Sequence, residues 1–184
     1  MVNTIRGLGD SNAQFRVYIG NRPAFKFAKS SDQYVPLLAS ELKEVGLACG
    51  NGWRKVFNVY AKLVFALAEQ GPVASNVSQF DCWQAYRDKA LLQADSDTAL
   101  CFEPYQLALG RTNALHIIMG RTYAKSLHLS PDIVWLDNEF ALDLASKLIV
   151  CPYFDYRQLS NSKIIRLVEI ILQVNTDKHL PMRV

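Results

Sequence analysis

Lys147-Leu-Ile-Val-Cys-Pro-Tyr-Phe-Asp-Tyr-Arg157 is the stretch on which the fold turns. Leu148 to Cys151 are continuously apolar, as a strand buried on both faces must be, and Pro152 has no N–H to donate, so the strand ends there. Tyr153 to Leu159 then read as a polar and aromatic loop. Ser160 or Asn161 caps a helix in which Ile164, Leu167, Val168 and Ile171 recur at i, i+3, i+4 and i+7, with Lys163, Arg166 and Glu169 left for water. Strand, polar loop, helix is the unit on which open α/β proteins build ligand sites at strand carboxyl ends.

The same unit repeats upstream. Phe15-Arg-Val-Tyr-Ile19 predicts a strand over 15–20 that runs into Gly20-Asn-Arg-Pro23, which sets Asn21 and Arg22 at its carboxyl end; an ordinary Asn-bearing turn is the alternative. Phe25-Lys-Phe-Ala-Lys29 interleaves aromatics with lysines, a pattern equally suited to stacking on bases and to packing under a loop. Apolar stripes predict helices between 34 and 69, the second of them over Trp53 to Glu69. A short strand is expected over 73–78, then helices over 79–109, of which the later is capped by Asp97 and ends near Gly110. Ala114-Leu-His-Ile-Ile-Met119 predicts the next strand, with His116 read as a hydrogen-bonded sheet histidine, and a helix follows over 121–128. Residues 129–146 fit strand and helix alike.

Alternation of this kind implies one α/β domain over 1–184, a three-layer α/β/α arrangement around a mostly parallel sheet of four or five strands, with 1–14 and 176–184 as loose termini. A chain of 184 residues, 50% apolar, has enough side chain for one core. It contains no apolar run of the roughly eighteen residues a membrane span needs, and Met1 to Gly7 lack the charge and apolar stretch of a secretory leader, so a cytoplasmic protein without a membrane partner is expected. The formal charge of +3 permits a polyanionic partner without requiring one. Cys49, Cys82, Cys101 and Cys151 are isolated in sequence, which predicts buried reduced thiols and neither a metal nor another cofactor. No phosphate-binding glycine fingerprint and no Ser-His-Asp order occur.

Four strand ends therefore converge on one rim, carrying Asn21 and Arg22, Asn76, Arg121 and Tyr123, and Tyr153, Asp155, Tyr156 and Arg157. The order of landmarks, read as Ile19-Gly-Asn-Arg-Pro-Ala24, Ser75-Asn-Val77, Ile117-Ile-Met-Gly-Arg-Thr-Tyr-Ala124 and Val150-Cys-Pro-Tyr-Phe-Asp155, resembles that of the uracil-DNA glycosylase superfamily over residues 15–174. Its members end a first strand in a Gly-Glu-x-Pro-Gly type motif and a middle strand in Thr-Asn. A third strand reads like Val-Val-Ala-Leu-Gly-x-Thr-Ala-Ala, and the last ends in His-Pro-Ser. By that resemblance Asn21 orients the attacking water, Phe25 stacks on an extruded base and Asn76 reads the base edge. Pro152 and Tyr153 stand where the family has His-Pro, so the stabiliser of the departing base is lost unless Tyr156 or Arg157 replaces it. Asp155 is the carboxylate available as a general base, or else it pairs with Arg157.

The resemblance implies a divergent relative that binds DNA, other nucleic acid or a nucleotide. An active base-excising enzyme with altered residues, a protein-interaction domain with a degraded site and an unrelated α/β enzyme remain as alternatives, and the oligomeric state is left open. Antiparallel hairpins through 114–119 and 147–151, or an all-helical bundle, would overturn the resemblance.

Overall fold

The computed structural model describes residues 5–27, 33–71, 77–106 and 113–176. Among them eight strands form one mixed sheet: β1 (Gly7–Gly9), β2 (Phe15–Tyr18), β3 (Tyr34–Val35), β4 (Thr98–Cys101), β5 (Leu115–Met119), β6 (Val134–Trp135), β7 (Ala141–Asp143) and β8 (Leu148–Cys151), in the spatial order β3-β1-β4-β2-β5-β8-β7-β6. Five α-helices accompany it: α1 (Glu41–Ala48), α2 (Asn51–Ala68), α3 (Trp83–Lys89), α4 (Arg121–Lys125) and α5 (Asn161–Asn175). None of these helices is long and apolar enough to cross a membrane.

The centre of the sheet is parallel. β2 pairs in parallel with β4 on one side (Val17 opposite Leu100) and with β5 on the other (Val17 opposite Ile117), and β5 pairs in parallel with β8 (Ile118 opposite Val150). The flanks are mixed, with β1 antiparallel to β4 and parallel to β3, and β7 antiparallel to both β8 and β6. β5 thus lies parallel to both its neighbours, whereas β8 also closes an antiparallel hairpin with β7. In that hairpin the buried Asp143 carboxylate accepts the Ala145 N–H at 3.0 Å and the Ser146 hydroxyl at 2.6 Å. Lys147 ends the turn at φ 48°.

Because side chains alternate along a strand, the sheet separates two apolar clusters. Phe15, Val17, Ile117, Met119, Ile149 and Cys151 meet the buried faces of α1, α2, α3 and α5. Tyr18, Ile118, Leu148 and Val150 meet Tyr105, Ala124 of α4 and the partly buried Tyr123, Leu127, Leu129 and Ile133. The Tyr60 hydroxyl of α2 fastens the first cluster to the interior strands β4 and β2, donating toward the carbonyls of Ala99 at 3.0 Å and Phe15 at 3.3 Å.

Several sequence expectations change. The sheet has eight strands, because β1, β3, β6 and β7 add short pairings too brief to show periodicity. Residues 98–101 are strand β4 and not helix: Asp97 has φ 57°, outside the backbone region of a helix cap, and its carboxylate accepts the Gln14 N–H at 2.7 Å. Residues 72–76 of the strand expected over 73–78 lie outside the described residues, and Val77–Gln79 form a single 3-10 turn. The arm expected over 1–14 holds β1, with Leu8 fully buried. Cys101 and Cys151 are buried free thiols, but Cys82 is exposed and Cys49 half-buried. Burial pushes the Cys101 thiol up to about 11.

Candidate functional site

The order β4-β2-β5-β8 places a topological switch point between β2 and β5. After β2 the next strands, β3 and β4, lie on one side of it, and after β5 the next strands lie toward β8 on the other, so the connections diverge and leave a crevice beyond the carboxyl ends of β2 and β5. Each strand ends there in glycine. At Gly20 a Cβ would stand 2.9 Å from the Tyr123 ring, and Gly120 takes φ +96° as it turns the chain into α4. The backbone therefore comes close to Tyr123 and Tyr153, which form two walls of the crevice.

The cavity between them measures about 590 Å³, and its polar lining includes Asn21, Arg121, Thr122, Ser126, Asn138, Glu139 and Gln158. The Tyr153 hydroxyl donates to Asn21 Oδ1 at 3.4 Å. Burial raises the pKa of both Tyr123 and Tyr153, so their hydroxyls stay protonated at neutral pH and remain available as donors. Arg121 donates to the Asn138 carbonyl at 2.8 Å and lies 5.2 Å from the centre of the Trp135 ring. These two contacts draw the segment before β7 over the crevice.

The same segment is tied to α5 by two ion pairs, Glu139–Lys163 at 2.6 Å and Asp137–Arg166 at 2.5 Å. Asp137 also accepts the N–H groups of Glu139 at 2.6 Å and Phe140 at 2.8 Å. Burial pushes the Asp137 carboxyl upward, but those two N–H groups and the Arg166 guanidinium outweigh it and leave its pKa below the ordinary value. The crevice can thus offer two aromatic rings, three side-chain amides, one guanidinium and one carboxylate to a small polar ligand.

Of the residues expected from sequence, Asn21, Arg121, Tyr123 and Tyr153 come together in this cavity. Asn76 lies outside the described residues. Arg22 turns away from the crevice, donating to the Ile5 carbonyl at 2.5 Å with its guanidinium carbon 5.5 Å from the Phe102 ring. Phe25 packs on Phe27 at 5.0 Å and against the main core. Asp155 pairs with Lys55 at 2.9 Å and accepts the Arg157 N–H at 2.9 Å, so its ion-pair partner is Lys55 and not the Arg157 side chain. Lys55 also sits 4.8 Å from the exposed Tyr156 ring, with Arg157 6.0 Å from the same ring. Asp155, Tyr156 and Arg157 therefore form a neighbouring charged rim and are not among the cavity's lining residues.

Sequence reasoning passed over Asn138, Glu139 and Gln158. The first two lie in the tract legible as neither helix nor strand, and they reach the crevice only through the β6–β7 turn. Gln158 belongs to the loop after β8, where its place in a strand-to-helix connection was the available signal. His116 is buried with its Nδ1 2.8 Å from the Tyr18 hydroxyl, beneath the second face of the sheet. Among the described residues no three His, Cys, Asp or Glu side chains converge in a manner that would hold a metal ion.

Residues 6–172 match the family model described as a family of unknown function, DUF6942. No curated protein and no solved structure matches the chain.

Proposed function

The chain belongs to DUF6942, a family of unknown function, and from its geometry we propose that it binds a nucleobase or nucleotide, free or within single-stranded nucleic acid, in the crevice between β2 and β5. The observation that carries this reading is the pairing of two tyrosine walls with the amides of Asn21, Asn138 and Gln158 at a switch point. Aromatic faces suit a flat heterocycle, and side-chain amides match the donors and acceptors on its edge. A cavity of about 590 Å³ falls within the range used for small ligands.

The resemblance to uracil-DNA glycosylases supports the same class of ligand, since the stretch Ile117 to Ala124 that carries it runs directly into this crevice. The three-layer α/β/α architecture belongs to that reading, with α4 and the segments around it as the thin third layer. Excision is a poorer fit than binding. Pro152 and Tyr153 stand at the position of the stabilising histidine, and Asp155 and Glu139 are each held in an ion pair. An efficient general base must instead have reach toward a water and a pKa suited to accepting its proton.

Calorimetric titration of the whole chain with uridine, dUMP and a short oligothymidylate tests the proposal. Saturable binding that Tyr153→Ala weakens supports it, because stacking on one aromatic ring contributes about 1–3 kcal/mol per base. Absence of binding to all three probes at low salt removes it in favour of a protein-interaction domain.

A further inference from the structure

The second face of the sheet carries another cavity, of about 390 Å³, bordered by Arg6, Gln14, Arg16, Tyr34, Glu103 and His116. Phe15 and Val17, the neighbours of Arg16 on β2, belong to the main core, so alternation along the strand brings Arg16 out on the opposite face. There its guanidinium donates to the carbonyls of Ala13 at 3.0 Å and Ser11 at 2.5 Å. Its central carbon lies 5.4 Å from the Tyr34 ring.

The two arginines of this cavity differ in charge balance. Arg6 is paired with Glu103 at 2.6 Å, whereas no carboxylate among the described residues pairs with Arg16. Two carbonyl dipoles solvate a cation without neutralising it, and a partly buried charge is costly until an opposite charge completes it. Two of the five guanidinium N–H groups donate to these carbonyls and the guanidinium also reaches the buried Cys101 thiol, so the Tyr34 ring and both carbonyls fix the plane of the fork while N–H groups remain for a ligand. A fixed planar fork is suited to paired bonds with a carboxylate. Across the cavity the Glu103 carboxylate, already accepting from Tyr34 at 3.3 Å, repels a second negative charge.

We propose that this cavity is a second binding site, separate from the crevice between β2 and β5, for a small molecule bearing a single carboxylate group held by Arg16. The site is lined by Arg16 and His116 and by the segments that precede β2 and β5, whereas the crevice lies beyond the carboxyl ends of those strands, so a ligand at one does not occupy the other.

Arginine modification by phenylglyoxal, mapped by mass spectrometry on the intact wild-type chain, tests this without relying on a variant that folds. Propionate is expected to protect Arg16 and leave the exposed Arg54 as reactive as before, with inorganic phosphate protecting only at higher concentration. Equal reactivity of Arg16 with and without either anion overturns the site, and stronger protection by phosphate overturns the assignment to a carboxylate. Arg16→Gln should weaken propionate binding about tenfold or more, the loss expected for a hydrogen bond to a charged group. Since Arg16 also pins the turn at 11–13, Glu103→Gln is the companion variant: it leaves that turn intact and should narrow the preference for propionate over phosphate. An unchanged preference in Glu103→Gln contradicts the single-charge argument.

Discussion

Gly20 and Tyr123 share one volume: a Cβ on the glycine would lie 2.9 Å from the Tyr123 ring, so the wall of the crevice rests directly on the backbone at the end of β2. Gly20→Ala should force that ring outward and cost about 1–3 kcal/mol, the usual penalty for one added carbon in a packed site. Urea unfolding measures it. In a Gly20→Ala, Tyr123→Ala double variant the two losses should not add, since removing the ring removes the clash; strict additivity would show that the ring and the glycine are energetically independent.

The Lys55–Asp155 pair gives stability an acid limb. The Arg157 N–H is the largest influence on the Asp155 carboxyl; burial opposes it, and Lys55 adds to it, leaving the carboxyl below its ordinary value of 3.8. A folded-state pKa lower than the unfolded one means that the contribution is complete above the unfolded value and vanishes as the pH falls through the folded value. Asp155→Asn should therefore cost about 0.5–1 kcal/mol at neutral pH and flatten the loss of stability below about pH 4. Thermal unfolding followed from pH 7 to 2.5 checks this. The Asp137–Arg166 pair, lowered in the same direction, keeps part of the acid limb in that variant.

Tyr60→Phe removes a buried hydroxyl that serves the Ala99 and Phe15 carbonyls. The expected loss is about 1 kcal/mol, the usual net contribution of one hydrogen bond, because a single hydroxyl proton is shared between two carbonyls of the β2–β4 pair. Chemical denaturation of the variant should show a lower midpoint with an unchanged slope; no change would mean that the two carbonyls are satisfied without the helix.

For excision, the expected result is no uracil release above blank from folded wild-type protein on single- or double-stranded substrate. Loss of a single preorganised donor lowers turnover by about 100-fold to 1000-fold, and Pro152 and Tyr153 stand here where uracil-DNA glycosylases have their His-Pro. Release that Asn21→Ala, Asp155→Asn or Glu139→Gln abolishes would replace the binding reading with an enzymatic one.

Much of the parallel centre was legible because its runs are continuously apolar and rich in β-branched residues. Leu115–Met119 and Leu148–Cys151 fall inside the expected strands, and α2 and α5 follow their apolar stripes closely. β4 was not legible. Thr98 to Cys101 are as many residues as β8 but lack its β-branched apolar run, and the aspartate before them resembles a helix cap until its backbone angle is known. The crevice was visible from the strand ends that supply Asn21, Arg121 and Tyr153. Asn138 and Glu139 were not visible, because a turn between two-residue and three-residue strands is positioned by Arg121, Lys163 and Arg166 from elsewhere in the chain. Local sequence does not record such distant anchoring.

The partners of β2 impose an order on folding. Phe15 pairs with Thr98 and with Leu115, so the strand emerges from synthesis long before either neighbour exists. The helices between them, α1 to α3, contact one another through short chain separations and can assemble while β2 is still unpaired. Loop closure over that distance must precede any reward from the central ladder, which places the rate-limiting step at the docking of β2 between β4 and β5. Until that step β2 presents unpaired edges on both sides, and pairing with another copy of the chain competes with its docking.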